Sequence, residues 1–410
     1  MGDSPKRGLL ARLRNRTPSQ ILRYAALRLY DRTGAAQLLF PLHEGDLADS
    51  HRILPPHELT TNSGMPRVGW VILPPSPGSG GHTTLFRMVR AVADAGFACT
   101  LLLYDTHNSD HEHYREVIRR SWPWLDGIPV QPVEERIRGF DAVVASGWST
   151  AHVIASRADH GKRLYFIQDY EPFFTPRGSE YAYAEDSYRF GFRNLALGRM
   201  VQALLQDELS ISSDLIPFGV DTGTYGLSSL RRRRRGITWY AKKRNDRRGY
   251  RHAIRALELF HERHPDEPIH IYGDVISDLS FPAVNHGSLT PAELNDLYNS
   301  VVAGLALSFT NISLVAEEML AAGVIPVVND NVYAQMDLDN PHVVWATATP
   351  GALADALSSV TDCPDADDRA TRVARSVTGR SWDPAKAAII RALQEEVENA
   401  SAFVPGRSAG

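Results

Sequence analysis

The sequence predicts two doubly wound α/β domains in one chain. The length of 410 residues is more than a single hydrophobic core usually serves, which favours two domains. From Arg67 onward, short β-type runs alternate with helical patterns, and the same alternation restarts after Arg235. Strands that are separated by helices favour parallel sheets with helices on both faces.

The first half contains four apolar runs with the length and composition of buried strands. After the first run, apolar residues recur at i, i+3, i+4 and i+7 from Leu85 to Val92, which places them on one face of a helix. The predicted strands cover residues 68–73, 99–104, 141–145 and 164–167.

The second half repeats this pattern with clearer helix boundaries. Thr290 and Glu293 form a capping box around Pro291, which is a strong signal for a helix start. Another helix is predicted from Leu314 to Ala322, where Gly323 ends it. The remaining predicted elements are a helix over 250–260 and strands over 237–240, 268–272, 302–307 and 325–328.

Two successive units of this kind outline the GT-B fold, in which two Rossmann-like domains face a central cleft. Ligands bind α/β sheets at the carboxyl ends of the strands, so they are expected in that cleft. We predict a basic N-terminal arm over 1–40, a first domain over 41–225 and a second domain over 226–380. A helix within 381–400 is expected to cross back to the first domain.

Composition narrows the class of protein. A net charge of −4 gives no general attraction to nucleic acid, and none is expected as a partner. Only Cys99 and Cys363 occur, which indicates a reducing compartment without a disulfide framework or a zinc cluster. No apolar run approaches the ~20 residues that span a bilayer. The N-terminus lacks the apolar core of a signal peptide, so we expect a cytoplasmic protein.

Basic residues cluster in two places. Between Lys6 and Arg32 lie eight basic residues and one acid, interleaved with leucine and isoleucine. Such a stretch either lies on an anionic membrane surface, as a peripheral attachment, or forms a helical arm that packs on its own domain. The second cluster, Arg231–Arg235, is more typical of a solvated linker than of a phosphate or lipid site.

A glycine-rich loop follows the first predicted strand and opens the first helix. It contains Gly78, Gly80, Gly81 and His82. Glycines in such a loop let backbone N–H groups approach an oxyanion, and a helix N-terminus adds partial positive charge. We expect Gly80, Gly81 and His82 to face a diphosphate or a reacting sugar, although many such turns need glycine only for their geometry.

The same loop raises a nicotinamide-dependent oxidoreductase as a rival. Asp105 ends the second predicted strand, where an acid that binds ribose would stand. The dinucleotide spacing from Gly78 requires a third glycine at position 83, where Thr83 stands instead. This alternative also leaves the whole second sheet without a role.

Acids and aromatic residues crowd the segment after the predicted strand 164–167. Carboxylates accept hydrogen bonds from sugar hydroxyls, and aromatic rings cover the apolar faces of a pyranose. Asp169 and Glu171 are candidate catalytic residues, because acids are rarely buried without a partner. Of the aromatic residues Tyr170, Phe173 and Phe174, at least one is expected in the core.

Cations follow the first strand of the second half, and an acidic pair lies on a later helix. Of the cations between 242 and 248, we select Lys242 and Arg247 as the ones that bind a diphosphate. Glu317 and Glu318 point about 100° apart on a helix, so one of them can face the cleft. We select Glu318 to hold ribose hydroxyls and interpret Glu317 as a surface acid near a helix N-terminus.

These segments together resemble the retaining glycosyltransferases of family 4, from about Val68 to the C-terminal helix. Glu318 stands five residues before Gly323, and this spacing with the Pro-Val-Val that follows is similar to the family's nucleotide-binding signature. Three runs resemble more narrowly a rhamnosyltransferase subgroup that builds bacterial surface-layer glycans: Gln168–Pro172, Tyr188–Gly191 and His286–Glu293.

The resemblance implies an enzyme that moves L-rhamnose from dTDP-rhamnose onto a bacterial surface glycan or a lipid-linked saccharide, with retention by front-face displacement. It implies an acceptor domain followed by a donor domain. Lys242 and Arg247 match cations that contact the diphosphate, and Gly287 to Leu289 lie in a loop near the base. Cations and a helix dipole neutralise the leaving group in this fold, so no metal or other cofactor is expected.

The sequence departs from the family at one acid. The family has two glutamates, the first near the donor sugar, and the first falls at Thr310 here, eight residues before Glu318. Thr310 is therefore a catalytic candidate, and Asn311 and Ser313 are expected to offer neutral hydrogen bonds to the donor. The lost acid leaves open a catalytically inactive scaffold that binds sugar nucleotides. Asp-X-Asp strings at 337–339 and 365–367 are interpreted as surface loops.

Overall fold

The computed structural model describes residues 17–33, 35–56, 64–107, 110–228, 233–311 and 314–402. These residues form two open parallel sheets, one of seven strands and one of six, with helices packed against them. The alternation of strands and helices in the sequence therefore predicts the architecture correctly.

The first sheet is built from seven strands: β1 Arg67–Ile72, β2 Ala98–Leu103, β3 Val130–Pro132, β4 Ala142–Ala145, β5 Lys162–Ile167, β6 Arg193–Leu197 and β7 Asp214–Ile216. Their order across the sheet is β3-β2-β1-β4-β5-β6-β7. The helices of this part are α1 Pro18–Thr33, α2 Gly80–Asp94, α3 His111–Ser121, α4 Trp148–Arg157, α5 Ser179–Ser187 and α6 Arg199–Leu209.

The second sheet is built from six strands: β8 Ile237–Ala241, β9 Ile269–Gly273, β10 Val284–Gly287, β11 Ala303–Leu305, β12 Ile325–Asn329 and β13 Val344–Ala346. Their order is β10-β9-β8-β11-β12-β13. The remaining helices are α7 Tyr250–Arg263, α8 Pro291–Tyr298, α9 Leu314–Ala321, α10 Val332–Asp337, α11 Pro350–Thr361, α12 Ala366–Arg375 and α13 Asp383–Ala402.

Strand β1 shows why apolar runs predict the centre of these sheets. Residues 68–72 are all buried, because helices cover both faces of the sheet. Trp70 belongs to the core on one face and Val71 to the core on the other. Gly69 is required by close packing, since a Cβ atom there would lie 2.9 Å from Leu102 Cδ1.

Each sheet has one point at which the strand order reverses, between β1 and β4 in the first and between β8 and β11 in the second. The loops that follow these strands diverge and leave a crevice at the carboxyl edge, which is where α/β sheets bind ligands. The glycine-rich loop follows β1 and the cation loop follows β8. Both candidate loops therefore lie at the expected positions.

The C-terminal helix α13 returns to the first domain, as predicted. Trp382, Ile389 and Leu393 pack in the same core as Trp70. Arg193 of β6 fixes the helix from the side, because its Nη1 donates to the carbonyl oxygen of Ala392 at 3.1 Å. The chain thus enters the second domain once and then comes back.

Local predictions hold with small shifts. In the capping box, the Thr290 backbone N–H donates to Glu293 Oε2 at 2.8 Å, and the Glu293 N–H donates to Thr290 Oγ1 at 3.3 Å. The strand predicted over 302–307 is shorter in the structure, where β11 covers Ala303–Leu305. Val220 already packs in the second core, within a few residues of the predicted boundary after 225.

Helix α1 extends outside both cores. None of its residues is buried, and the exposed side chains include Leu22 at 72% and Leu29 at 63%. The helical arm is thus present over 18–33, but it does not pack on its own domain. In the part of the chain that is described, no helix combines the length and apolar character needed to cross a bilayer.

Candidate functional site between the two sheets

The carboxyl edges of the two sheets meet through an ion pair between the domains. Asp169 follows β5 of the first sheet, and Arg247 lies in the loop after β8 of the second. Arg247 Nη1 stands 2.9 Å from Asp169 Oδ2. The Asp169 side chain is 7% exposed and that of Arg247 is 25% exposed, so the pair lies at the inner end of the cleft.

Asp169 accepts further hydrogen bonds from the loop after β11. Thr310 Oγ1 donates to Asp169 Oδ2 at 2.7 Å, and the Asn311 backbone N–H donates to Oδ1 at 3.1 Å. Asn311 Nδ2 also donates to the carbonyl oxygen of Gln168 at 2.8 Å. Burial raises the pKa of Asp169, while the positive charge of Arg247 acts in the opposite direction. Asp169, Thr310 and Asn311, all predicted from the sequence as site residues, therefore lie together, and Asp169 joins the other two to Arg247.

Arg247 is held in place by an aromatic ring and by its own loop. Its guanidinium carbon lies 3.8 Å from the centroid of the Phe174 ring, a cation–π contact across the domain boundary. Its Nε donates to Asn245 Oδ1 at 3.2 Å, and its carbonyl oxygen accepts from the Phe309 N–H at 2.9 Å. The loops after β8 and β11 are thus joined at the point where the strand order reverses.

Glu318 lies on α9, which follows β11, and faces charges from outside its own sheet. Burial is the main reason that its pKa is raised to about 7; the negative charge of Asp221 adds to the shift, and Arg87 opposes it. Arg87, on α2 of the first domain, lies 3.4 Å from Asp221. Among the described residues, none donates a hydrogen bond to the Glu318 carboxylate or forms an ion pair with it.

Lys242 lies at the rim of the cleft. It directly follows β8, and its Nζ is 3.7 Å from Asp274 Oδ1 at the end of the neighbouring strand β9. Its side chain is 40% exposed. It stands on the same edge of the sheet as Arg247, but its present counterion is Asp274.

The glycine-rich loop contributes the N-terminus of α2. Ser79 caps this helix, and the His82 ring is fixed by Ser79 Oγ at 2.8 Å and by the carbonyl oxygen of Leu73 at 3.2 Å. Burial lowers the pKa of His82. Gly80 has open space beside it, whereas a Cβ atom at Gly81 would lie 3.8 Å from Gln168 Oε1. The loop therefore adjoins the segment that carries Asp169.

The dinucleotide alternative gains no support at position 83. The Thr83 hydroxyl donates to the carbonyl oxygen of Ser79 at 2.9 Å and accepts from Trp122 Nε1 at 2.9 Å. A side chain with two fixed partners occupies the position where the dinucleotide fingerprint needs glycine for close packing of helix and strand.

The remaining donor-site candidates lie at the outer edge of the second sheet or outside the residues that the structure describes. Gly287 ends β10 with a φ of +65°, a conformation that favours glycine. Leu289, just beyond it, packs against the second core. Both stand at the outer strand of the sheet, away from Arg247. Ser313, and Arg231 and Arg232 of the second basic cluster, lie outside the described residues.

Glu171 takes a different place from the one predicted. Its Oε2 accepts from the Trp148 backbone N–H at the start of α4 at 2.8 Å, and its Oε1 accepts from the Tyr165 hydroxyl at 3.0 Å. Burial raises its pKa to about 7. Both oxygens are committed to the fold, so the geometry argues against the predicted catalytic contact and favours a role in positioning the segment after β5.

Two interpretations of acids as surface residues are wrong. Glu317 is 2% exposed, and Arg380 Nη1 contacts its Oε1 at 2.8 Å. Asp337 is 9% exposed and accepts from the backbone N–H groups of Arg199 at 2.6 Å and Met200 at 3.1 Å. Asp337 therefore caps α6 of the first domain from the second domain, because a carboxylate is stabilised at a helix N-terminus.

Sequence reasoning missed Arg87 and Asp221. Arg87 appears in the sequence as one polar position on an amphipathic helix, and Asp221 as one residue of the connection between domains. Their proximity to Glu318 depends on how the domains pack, and no local spacing encodes it. The aromatic residues divide as expected, because Tyr170 is fully buried while Phe173 and Phe174 are each 39% exposed.

Comparison with known proteins gives one family match and one curated relative. Residues 235–358 match the family model described as WsaF, C-terminal domain. The O-antigen biosynthesis protein RfbC of Myxococcus xanthus is 28% identical over 254 residues, which cover 59% of this chain. The match covers 20% of RfbC, so the chain spans about a fifth of that protein's length.

Solved structures align over both domains. HepE of Anabaena, in complex with UDP and glucose, aligns with a TM-score of 0.59 at 14% identity, over 81% of this chain and 99% of HepE. A glycosyltransferase from Rickettsia africae aligns with a TM-score of 0.57 at 12% identity, over 83% of this chain and 100% of that one. The fold is GT-B.

The GT-B arrangement gives the observed charges a shared orientation. Arg247 and Lys242 supply positive charge at the carboxyl edge of the second sheet, and α9 follows β11 at the same edge. Guanidinium and ammonium groups with a helix N-terminus form an anion site that suits a diphosphate. Glu318 adds an acceptor for hydroxyl groups in the same domain. On the opposite side of the cleft, the first domain presents Asp169 and the glycine-rich loop.

Proposed function

We propose that this GT-B protein is a glycosyltransferase that moves a sugar from a nucleoside diphosphate onto a bacterial surface polysaccharide. One observation carries the proposal: Arg247, Thr310 and Glu318 lie on the two loops and the helix that flank the reversal point of the second sheet. This point is the binding crevice of an α/β sheet, and the residues there have the chemistry that a diphosphate and a ribose require.

In this proposal the donor diphosphate binds Arg247 and Lys242, and the ribose hydroxyls donate to Glu318. As the sugar–phosphate bond lengthens, negative charge grows on the leaving diphosphate, and the fixed cations and the α9 N-terminus stabilise it. This inventory supports catalysis without a metal ion. Retention by front-face displacement and a dTDP-rhamnose donor are the finer parts of the proposal, and they rest on the motifs Gln168–Pro172, Tyr188–Gly191 and His286–Glu293.

The acceptor is proposed to be a growing surface glycan or a lipid-linked saccharide. The O-antigen role in the name of RfbC supports a polysaccharide product. In the first domain, the rings of Phe173 and Phe174 are each 39% exposed, and the Phe174 ring lies against Arg247 at the cleft. Exposed aromatic faces beside backbone N–H groups suit a saccharide.

The test of the function is release of nucleoside diphosphate from a panel of sugar nucleotides that includes dTDP-rhamnose and UDP-glucose. We expect release from at least one donor, and faster release when a lipid-linked saccharide primer is added. Binding of sugar nucleotides with no release or transfer from any donor would favour the inactive scaffold. Absence of binding to every nucleotide in the panel would contradict the proposal as a whole.

We also propose that α1 attaches the protein to anionic membranes, where a lipid-linked acceptor is found. Leu22 and Leu29 lie on one side of this unpacked helix, and Arg23, Arg28 and Arg32 supply positive charge. An amphipathic helix with basic residues binds the interface of anionic bilayers by burying its apolar side and attracting lipid headgroups. The exposed charge and the exposed leucines thus point to the same partner.

Vesicle sedimentation tests this attachment. Replacing Leu22 and Leu29 together with serine is expected to weaken binding to vesicles of phosphatidylglycerol and phosphatidylcholine by at least about tenfold, because both side chains lose apolar burial. Leu27→Ser is the matched control, since Leu27 is also exposed but points to the other side of the helix. Binding should weaken as salt is raised. Equal binding to purely zwitterionic vesicles, or equal effects of both substitutions, would contradict it.

A further inference from the structure

Two loops of the second domain, the one after β8 and the one after β11, both contact the carboxylate of Asp169 in the first domain. Among the described residues, no other carboxylate of the first domain is bound by both loops. Arg247 reaches Asp169 from the loop after β8, and Thr310 and Asn311 reach it from the loop after β11. Its neighbours are thus the residues proposed to hold the diphosphate and the donor sugar. A domain-closing contact of this kind requires an explanation beyond stability, because it consists of charges and hydroxyls rather than apolar packing.

Position 310 is where the resemblance expects an acid near the donor sugar, and it carries a hydroxyl. That hydroxyl lies 2.7 Å from a carboxylate that the other domain supplies. We propose, on the basis of the function proposed above, that Asp169 supplies the missing carboxylate and accepts a hydrogen bond from a hydroxyl group of the donor sugar. In this proposal the carboxylate beside the donor sugar comes from Asp169 of the first domain instead of from position 310 of the second domain.

The sugar is expected beside Asp169 because Asp169 is in contact with Arg247, the residue proposed to bind the diphosphate. The donor sugar is bonded to the phosphate that Arg247 binds, and Arg247 Nη1 is 2.9 Å from Asp169 Oδ2. Asp169 Oδ1 receives one donor, the Asn311 N–H, among the described residues. A carboxylate oxygen accepts more than one hydrogen bond, so Oδ1 has capacity for a sugar hydroxyl.

The ligand-free contact can open to admit the donor. This contact consists of an ion pair and hydrogen bonds, and motion between domains is the expected behaviour of boundaries that are not large and apolar. When a diphosphate takes over Arg247, Asp169 loses that counterion but keeps Thr310 and Asn311. The same two residues then orient the carboxylate toward the sugar.

The test relocates the carboxylate. Asp169→Ser removes it, Thr310→Glu restores an acid on the opposite side, and the double variant keeps the number of side-chain heavy atoms unchanged. For each variant, the dissociation constants of dTDP-rhamnose and dTDP, and of UDP-glucose and UDP, are compared, together with nucleotide release. Asp159→Ser is the matched control, because it removes an exposed acid paired with Arg136 in the same domain.

We expect Asp169→Ser to weaken the sugar nucleotide relative to its nucleoside diphosphate by at least about tenfold, since the lost contact involves a charged hydrogen-bond partner. Affinity for the nucleoside diphosphate should stay equal or increase, because Arg247 is freed. Adding Thr310→Glu should restore the preference for the sugar nucleotide and raise release at least about tenfold above that of Asp169→Ser.

Two results would overturn the inference. An unchanged preference for the sugar nucleotide in Asp169→Ser would show that the carboxylate does not contact the sugar. A double variant that folds, as judged by its melting temperature, but behaves like Asp169→Ser would show that an acid at this place is not what the site requires. Absence of nucleotide binding by the wild-type protein is a separate result, which would refute the proposed function itself.

Discussion

Replacing Arg247 with alanine is expected to lower kcat/KM for sugar transfer by about 10²- to 10³-fold, the usual effect of removing one fixed donor to a developing negative charge. Arg247 of the loop after β8 reaches the inner end of the cleft, where it pairs with Asp169 and stacks on Phe174. Without it, the leaving diphosphate loses its best-positioned counter-charge. Steady-state kinetics with the donor selected by the panel measures this effect.

Arg244→Ala and Arg247→Lys serve as controls. Arg244 lies in the same loop but is exposed, so its removal should change kcat/KM by no more than a few-fold. Lysine at 247 keeps a positive charge but loses the planar stack on Phe174 and the forked donors, so an intermediate loss is expected. Equal activity of Arg247→Ala and Arg244→Ala, with both proteins folded, would remove Arg247 from the site.

Glu318→Gln is expected to weaken sugar-nucleotide binding by about tenfold to a hundredfold at pH 8, because hydrogen bonds to charged groups contribute about 1.5–3 kcal/mol. The loss should depend on pH. The pKa of Glu318 is raised to about 7, so the ionised acceptor disappears as pH falls below 7. Wild-type affinity should then decrease by up to about tenfold per pH unit, while Glu318→Gln stays flat.

The measurement is calorimetric titration with a sugar nucleotide, whose diphosphate diester keeps its charge through this range. Glu171 also has a pKa of about 7, and the comparison with Glu318→Gln separates the two groups because Glu171 is unchanged in both proteins. A wild-type affinity that does not depend on pH would contradict the role assigned to Glu318.

The raised pKa also has a consequence for the ligand-free protein. Between pH 4.5 and about 7, the folded state retains the Glu318 proton that the unfolded state has released. Stability therefore falls as pH rises through this window, and Glu318→Gln should melt at a higher temperature than the wild type at pH 8. Higher stability with weaker binding is the behaviour expected of a residue kept for its ligand.

Elements that depend on local patterns are predictable from this sequence. The buried run at β1 and the capping box at Thr290 appear where expected, because all the residues that form each pattern lie within a few positions of one another in the sequence. The position of Arg247 at a strand end follows from the same reasoning. The sequence predicts that Glu317 and Glu318 point in different directions from their helix, so that one of them can face the cleft. It does not predict where the other one points: Glu317 is buried and paired with Arg380 instead of facing the solvent.

Contacts between domains are not predictable in this way. Asp337 lies in a string that has the composition of a surface loop, yet it caps α6 of the other domain. Glu171 lies two residues after Asp169, yet it points to the start of α4 while Asp169 points across the cleft. In each case the partner is distant in sequence, so the side chain's surroundings follow from the packing of two completed domains.

The most direct test of the site is a crystal structure of the protein with bound dTDP or UDP. We predict the diphosphate within hydrogen-bond distance of the Arg247 guanidinium and the ribose hydroxyls within the same distance of the Glu318 carboxylate. A nucleotide bound elsewhere, for example in the cavity of about 270 Å³ lined by Arg199, Asp337 and Arg380, with Arg247 still paired to Asp169, would contradict the account.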